Sequence, residues 1–173
     1  VPKTYLGVNV LEAARERIAW TFDNFPRIYL SFSAGKDSTV MMHLVADEAR
    51  KRGRKFGCLF IDWECQFTMT IDHARSMYAE YADCIEPYWV QIPITTWNGC
   101  SQHEPEWCAW DDKKPDAWVR KKETDSIKDG VYFDFYIPRM MFEEFVPLFA
   151  QWYGQDQKTA CFVGIRTQES LNR

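Results

Sequence analysis

The run Ser33-Ala34-Gly35-Lys36-Asp37-Ser38 has the residue types of an anion site. Gly35 lets a backbone approach a phosphate closely, Lys36 brings a mobile positive charge, and Ser33 and Ser38 bring hydroxyl donors. In front of it stands Ile28-Tyr29-Leu30-Ser31-Phe32, short, apolar and β-prone; behind it, Val40, Met41, Leu44 and Val45 share one face of a helical pattern. A strand that stops in a small-residue turn and restarts as a helix aims unpaired N–H groups outward, where the positive end of the helix dipole reinforces them. The run therefore reads as a phosphate cradle, against the plainer alternative of a turn that merely links a strand to a helix. It is not a Walker A loop, which needs Gly at position 30 and Ser or Thr directly after the lysine; Leu30 and Asp37 stand there instead.

Two further segments end apolar runs in the same manner. Phe60-Ile61-Asp62-Trp63-Glu64 closes the run from Phe56 to Ile61 and precedes a helix-like stretch from Thr70 to Tyr78. Gly164-Ile165-Arg166-Thr167-Gln168-Glu169-Ser170-Leu171-Asn172-Arg173 follows the run Ala160 to Val163. Its arginines suit an oxyanion, because the planar guanidinium makes paired hydrogen bonds.

Taken together, the three segments resemble the adenine-nucleotide α-hydrolase, or PP-loop ATP pyrophosphatase, superfamily, and within it the phosphoadenylyl-sulfate (PAPS) reductases. The first is similar to the SGGKDS pyrophosphate loop, with Ala34 in place of the first glycine. Asp62 and Thr70 look like the frame of the second strand end and the helix after it, with Trp63-Glu64 where the family has Thr-Gly. The third is similar to G-x-R-x-x-E-S-x-x-R, whose arginines face the phosphosulfate or pyrophosphate end of the nucleotide. The resemblance covers roughly Arg27 to Arg173. It implies phosphate or nucleotide binding by Ser33, Ala34, Gly35, Lys36, Asp37, Ser38, Asp62, Gly164, Arg166, Glu169 and Arg173, with Lys36, Asp37 and Arg166 acting in the chemistry. Magnesium would accompany ATP, with Asp62 as a candidate ligand; neither zinc nor an iron–sulfur cluster is expected.

The substrate stays open between ATP and PAPS, and the reaction between transferase and oxidoreductase chemistry. Assimilatory reductases attack with the cysteine of a C-terminal Glu-Cys-Gly motif, and none of the six cysteines here is followed by glycine. The tryptophan-rich middle, from Trp97 through Trp107, Trp110 and Trp118 to Arg120, looks more like a longer branch of PAPS-reductase-like proteins. The 173 residues are then one PP-loop domain, or the N-terminal part of a longer protein. A nucleotide-sensing module that signals to a partner without turnover is the alternative class.

Composition fits a cytoplasmic enzyme domain. Apolar residues make up 46% of the chain, enough for a core, yet no apolar run approaches the roughly 18 residues of a membrane span. No secretory signal pattern opens the chain. A net charge of −4 argues against broad affinity for nucleic acid. The scattered cysteines contain no CxxC pair, as expected for reduced thiols. Cys58 and Cys161 lie in apolar runs and read as core fillers. Cys100, His103 and Cys108 suggest zinc ligands without an evident fourth, so an aromatic loop with incidental cysteines is the preferred reading.

The elements that must position these residues alternate. Helices are predicted over Val10 to Phe22, Asp37 to Arg52, Thr70 to Ala82 and Met140 to Tyr153. Strands are predicted over Ile28 to Phe32, Phe56 to Ile61, Tyr88 to Ile92 and Thr159 to Val163. That alternation implies an α/β, doubly wound, mostly parallel sheet of Rossmann-like, PP-loop type, with ligands at the carboxyl ends of strands. The interruption from Thr95 to Tyr136 is too aromatic to stay solvated and reads as a lid, a substrate-recognition insertion, or a docking surface for a missing domain or a partner. Lys113-Lys114 and Arg120-Lys121-Lys122 read as solvated faces first, and as phosphate contacts second.

Overall fold

The computed structural model describes residues 7–165. Helix α1 spans Val10–Asn24, started by Asn9, whose side chain accepts from the Glu12 N–H at 2.9 Å. Strand β1 (Arg27–Ser31) leads through the 33–35 turn into helix α2 (Lys36–Arg52). Gly53 ends α2 at φ 58°, the left-handed geometry that glycine adopts without a Cβ penalty, with Arg50, Lys51 and Arg52 in the last turn. Strand β2 (Phe56–Ile61), helix α3 (Thr68–Glu80) and strand β3 (Ile85–Val90) follow. The insertion begins with an antiparallel hairpin, β4 (Ile94–Trp97) and β5 (Glu106–Ala109). It continues through two 3₁₀ turns, Pro115–Ala117 and Gly130–Tyr132, to helix α4 (Phe142–Gly154) and strand β6 (Thr159–Val163).

The main sheet has the order β3-β2-β1-β6, and every pairing in it is parallel. The chain moves outward from β1 to β3 and then crosses back to pair β6 on the other side of β1. The strand order therefore reverses between β1 and β6, which is where open α/β sheets place their crevice.

Strand residues alternate between two cores, as a two-residue side-chain period requires. Ile28, Leu30, Phe56, Cys58, Phe60, Ile85 and Trp89 pack with residues of α1, α2 and α3. Tyr29, Leu59, Tyr88 and Val90 pack on the other face with Phe133 and with Phe145, Phe149 and Tyr153 of α4. The Tyr153 hydroxyl enters the ladder itself, accepting from Gly57 N–H and donating to the Ile28 carbonyl, each at 2.9 Å. A Cβ on Gly57 would meet that ring at 2.9 Å, so position 57 has no room for one.

Three expectations need correction. The third strand runs over Ile85–Val90 and not to Ile92, because Gln91 pairs with Ile127 of the insertion: Gln91 N–H donates to the Ile127 carbonyl at 2.8 Å. Cys161 is exposed on β6, an edge strand of the described sheet, whereas Cys58 is fully buried. In the basic run 120–122 only Lys121 is exposed; Arg120 and Lys122 turn inward. No helix among the described residues is long and apolar enough to cross a membrane.

Candidate functional site

The turn after β1 is held by its own hydroxyls. Ser38, buried in the first turn of α2, donates from Oγ to the Gly35 carbonyl at 3.1 Å. The same oxygen accepts from Ser33 N–H at 3.3 Å and lies 3.0 Å from Ser33 Oγ. Gly35 caps α2 without any side-chain hydrogen bond, so the first-turn N–H groups are not covered by a capping side chain. Ala34 sits at φ 57°, a conformation that glycine takes freely and alanine takes at a cost. Lys36 is exposed and its ammonium pairs with the Asp37 carboxylate at 2.7 Å. That pair lies in solvent and is correspondingly weak, so the ammonium can turn to a stronger anion.

Gly164 brings the end of β6 onto this turn. Register pairs Ser31 with Val163, and a Cβ on Gly164 would lie 2.8 Å from Asp37 C and Ser38 N and 3.0 Å from Asp37 O. The backbone after β6 thus touches the first turn of α2 directly. Arg166, Glu169 and Arg173 lie outside the described residues.

A second support comes from α3, through residues that sequence reasoning left unassigned. Thr39 Oγ1 donates to the Gly35 carbonyl at 2.8 Å and lies 2.8 Å from His73 Nε2. With its one proton committed, the Thr39 hydroxyl accepts from a protonated Nε2. His73 therefore braces the 33–38 turn from the neighbouring helix, a relation only the crossover geometry creates.

Asp62 stands at the carboxyl end of β2, next to the strand that carries the turn. The residue is 1% exposed and its carboxylate is fully engaged. Oδ2 accepts from Trp89 Nε1 at 2.9 Å and from Gln91 Nε2 at 2.8 Å. Oδ1 accepts from Glu64 N–H at 2.9 Å and from the Arg120 guanidinium. The Asp62 carbonyl takes Trp110 Nε1 at 2.6 Å. Glu64, also buried, accepts from the N–H groups of Trp110 at 2.7 Å and Val119 at 3.1 Å. Two buried carboxylates thus pin the insertion to the sheet, each satisfied as burial of a charge demands. The sequence signal is the polar pair Asp62 and Glu64 at a strand end.

Asp62 is accordingly a hydrogen-bond hub without a free oxygen for magnesium. Among the described residues no group of three or more His, Cys, Asp or Glu is placed to hold a metal ion. The described side chains do not build a protein cage for magnesium.

Residues 27–173 match the phosphoadenosine phosphosulfate reductase domain. The chain is also 50% identical over 173 residues to a protein of Escherichia coli (strain K12) described as "Uncharacterized protein YbdN". That likeness covers 99% of this chain and 42% of the relative, so the chain spans less than half of the relative's length.

Proposed function

The chain belongs to the phosphoadenosine phosphosulfate reductase domain family, and from that premise we propose that it is an enzyme that binds an adenine nucleotide, ATP or PAPS, and acts at its phosphate or sulfate chain. The observation that carries this reading is the contact of Gly164 with Asp37 and Ser38, which joins the β6 end, the 33–38 turn and the uncapped α2 terminus at the point of strand reversal. First-turn N–H groups hold the anion, and Lys36 leaves Asp37 to neutralise it. Ser33, Ser38, Thr39 and His73 keep the turn in shape, so no reorganisation is needed when charge develops. The family resemblance adds Arg166 to the same anion, with Glu169 and Arg173 as its neighbours in the motif. Any magnesium would arrive on the nucleotide's phosphates rather than in a protein cage.

With ATP, the turn retains the departing pyrophosphate while a nucleophile takes the AMP moiety; with PAPS, it retains an oxyanion of the nucleotide while an external thiolate takes the sulfonate and adenosine 3′,5′-bisphosphate departs, and a second thiol then releases sulfite as the two sulfurs join in a disulfide. The test is calorimetric titration of the full-length protein with both nucleotides, together with assays for pyrophosphate and sulfite release. Lys36→Ala is expected to weaken binding by roughly ten- to a hundredfold, the range of a charge-assisted contact. Absence of binding by the parent, or equal affinity in Lys36→Ala, overturns the reading.

A further inference from the structure

The insertion carries a second cationic cluster, one strand away from the phosphate turn. Val119 N–H reaches Glu64, Glu123 N–H donates to Gln91 Oε1 at 2.6 Å, and the Arg120 side chain between them turns in to Asp62. Among the described residues only Nη2 of that guanidinium finds a hydrogen-bond acceptor. Nε and Nη1 are buried without one, and Glu123 Oε1, at 3.8 Å from Nη1, is beyond hydrogen-bond reach. Asp62 already holds three other donors, so a single ammonium would meet its remaining need. Arginine brings five N–H donors instead, and buried donors in folded proteins find partners.

Lys122 adds to the same place. Its ammonium sits 5.7 Å from the Trp110 ring and 4.7 Å from the Trp118 ring, and the Arg120 guanidinium lies 5.0 Å from the Trp110 ring. Among the described residues Lys122 makes no ion pair, and burial lowers the pKa of its ammonium. Two cations, both short of acceptors, thus share one indole at the carboxyl ends of β2 and β3.

We propose that Arg120 and Lys122 form a second oxyanion site, which takes a phosphate or sulfate group between the guanidinium edge and the ammonium. The site stands whether or not the 33–38 turn binds nucleotide. Its test is titration of the full-length protein with inorganic phosphate and with ATP, in the parent and in Lys36→Ala, Arg120→Lys and Lys122→Met. Arg120→Lys keeps a positive charge on Asp62 but removes the fork, and Lys122→Met leaves the Asp62 cluster untouched. Saturable phosphate binding is expected to survive Lys36→Ala and to weaken about tenfold in Arg120→Lys and in Lys122→Met. A matching loss for ATP assigns the oxyanion to a nucleotide, whereas a loss confined to inorganic phosphate assigns it to a free ion. Parent-like affinity for both ligands in Arg120→Lys and Lys122→Met overturns the proposal, as does a parent that binds neither. Loss of both ligands in Lys36→Ala with no effect of the other two variants supports the turn alone and overturns the second site.

Discussion

Replacing Gly164 with alanine forces a methyl group against the first turn of α2. The new Cβ would lie 2.8 Å from both Asp37 C and Ser38 N, and 3.0 Å from Asp37 O. All three atoms are backbone, so no rotamer change relieves the overlap. Either β6 retreats from β1, stretching ladder bonds at Ser31 and Val163, or α2 shifts at its amino end. Overpacking of this kind costs about 1–3 kcal/mol. For a chain this long, each kcal/mol lowers the melting temperature by roughly 2–4 °C. A shift of α2 also moves the first-turn N–H groups that the proposed anion site uses, and nucleotide affinity should fall about tenfold. Urea denaturation and calorimetric titration read the two effects separately. Gly99→Ala is the control: nothing lies within 4 Å of its added methyl, and its stability should stay within about 0.5 kcal/mol of the parent. Parent-like stability and affinity in Gly164→Ala would refute the tight β6–α2 contact and the site built on it.

Three further outcomes follow from the same geometry. Asp62→Ala strips the acceptor from Trp89, Gln91 and the Glu64 N–H and leaves the Arg120 charge only the Glu123 carboxylate, 3.8 Å away; it should cost about 3–5 kcal/mol in urea denaturation, and a loss below about 1 kcal/mol would dismiss Asp62 as the hub. Ala34→Gly should gain up to about 1 kcal/mol, since relief of the left-handed alanine at φ 57° outweighs the extra unfolded-state freedom of glycine; a clear loss in the same measurement contradicts this. Arg139, 2.6 Å from the Asp111 carboxylate, holds that group below its ordinary pKa of 3.8. A depressed acid stabilises the fold above its unfolded pKa and loses that contribution as pH falls through the folded value. The stability gap between parent and Asp111→Asn should therefore be steady near neutrality and close in acid, and a gap that widens in acid would reverse the assignment.

Much of the fold is local and so was legible in the chain. The bounds of β2 and β6 follow directly from apolar runs between turn residues, and α2 from its periodic face and from Gly53. The 33–38 turn was identifiable because every feature it needs lies within six consecutive residues. The hairpin Ile94–Ala109 was not read as strands, since its short segments sit among polar and aromatic residues whose partner is set by the fold.

The sequence alone determined the alternation of strands and helices, the turn as a candidate anion site, and the candidate role of Asp62 at a strand end. Only tertiary structure decided what those residues touch. It paired β6 with β1, which places Gly164 against Asp37 and Ser38 although more than a hundred residues separate them. It folded the insertion back so that Trp110, Val119 and Arg120 close on Asp62 and Glu64, turning a candidate magnesium ligand into a buried hub. The physical reason is that periodicity reports which face of an element is buried, whereas a buried charge takes its role from the donors that distant segments bring to it.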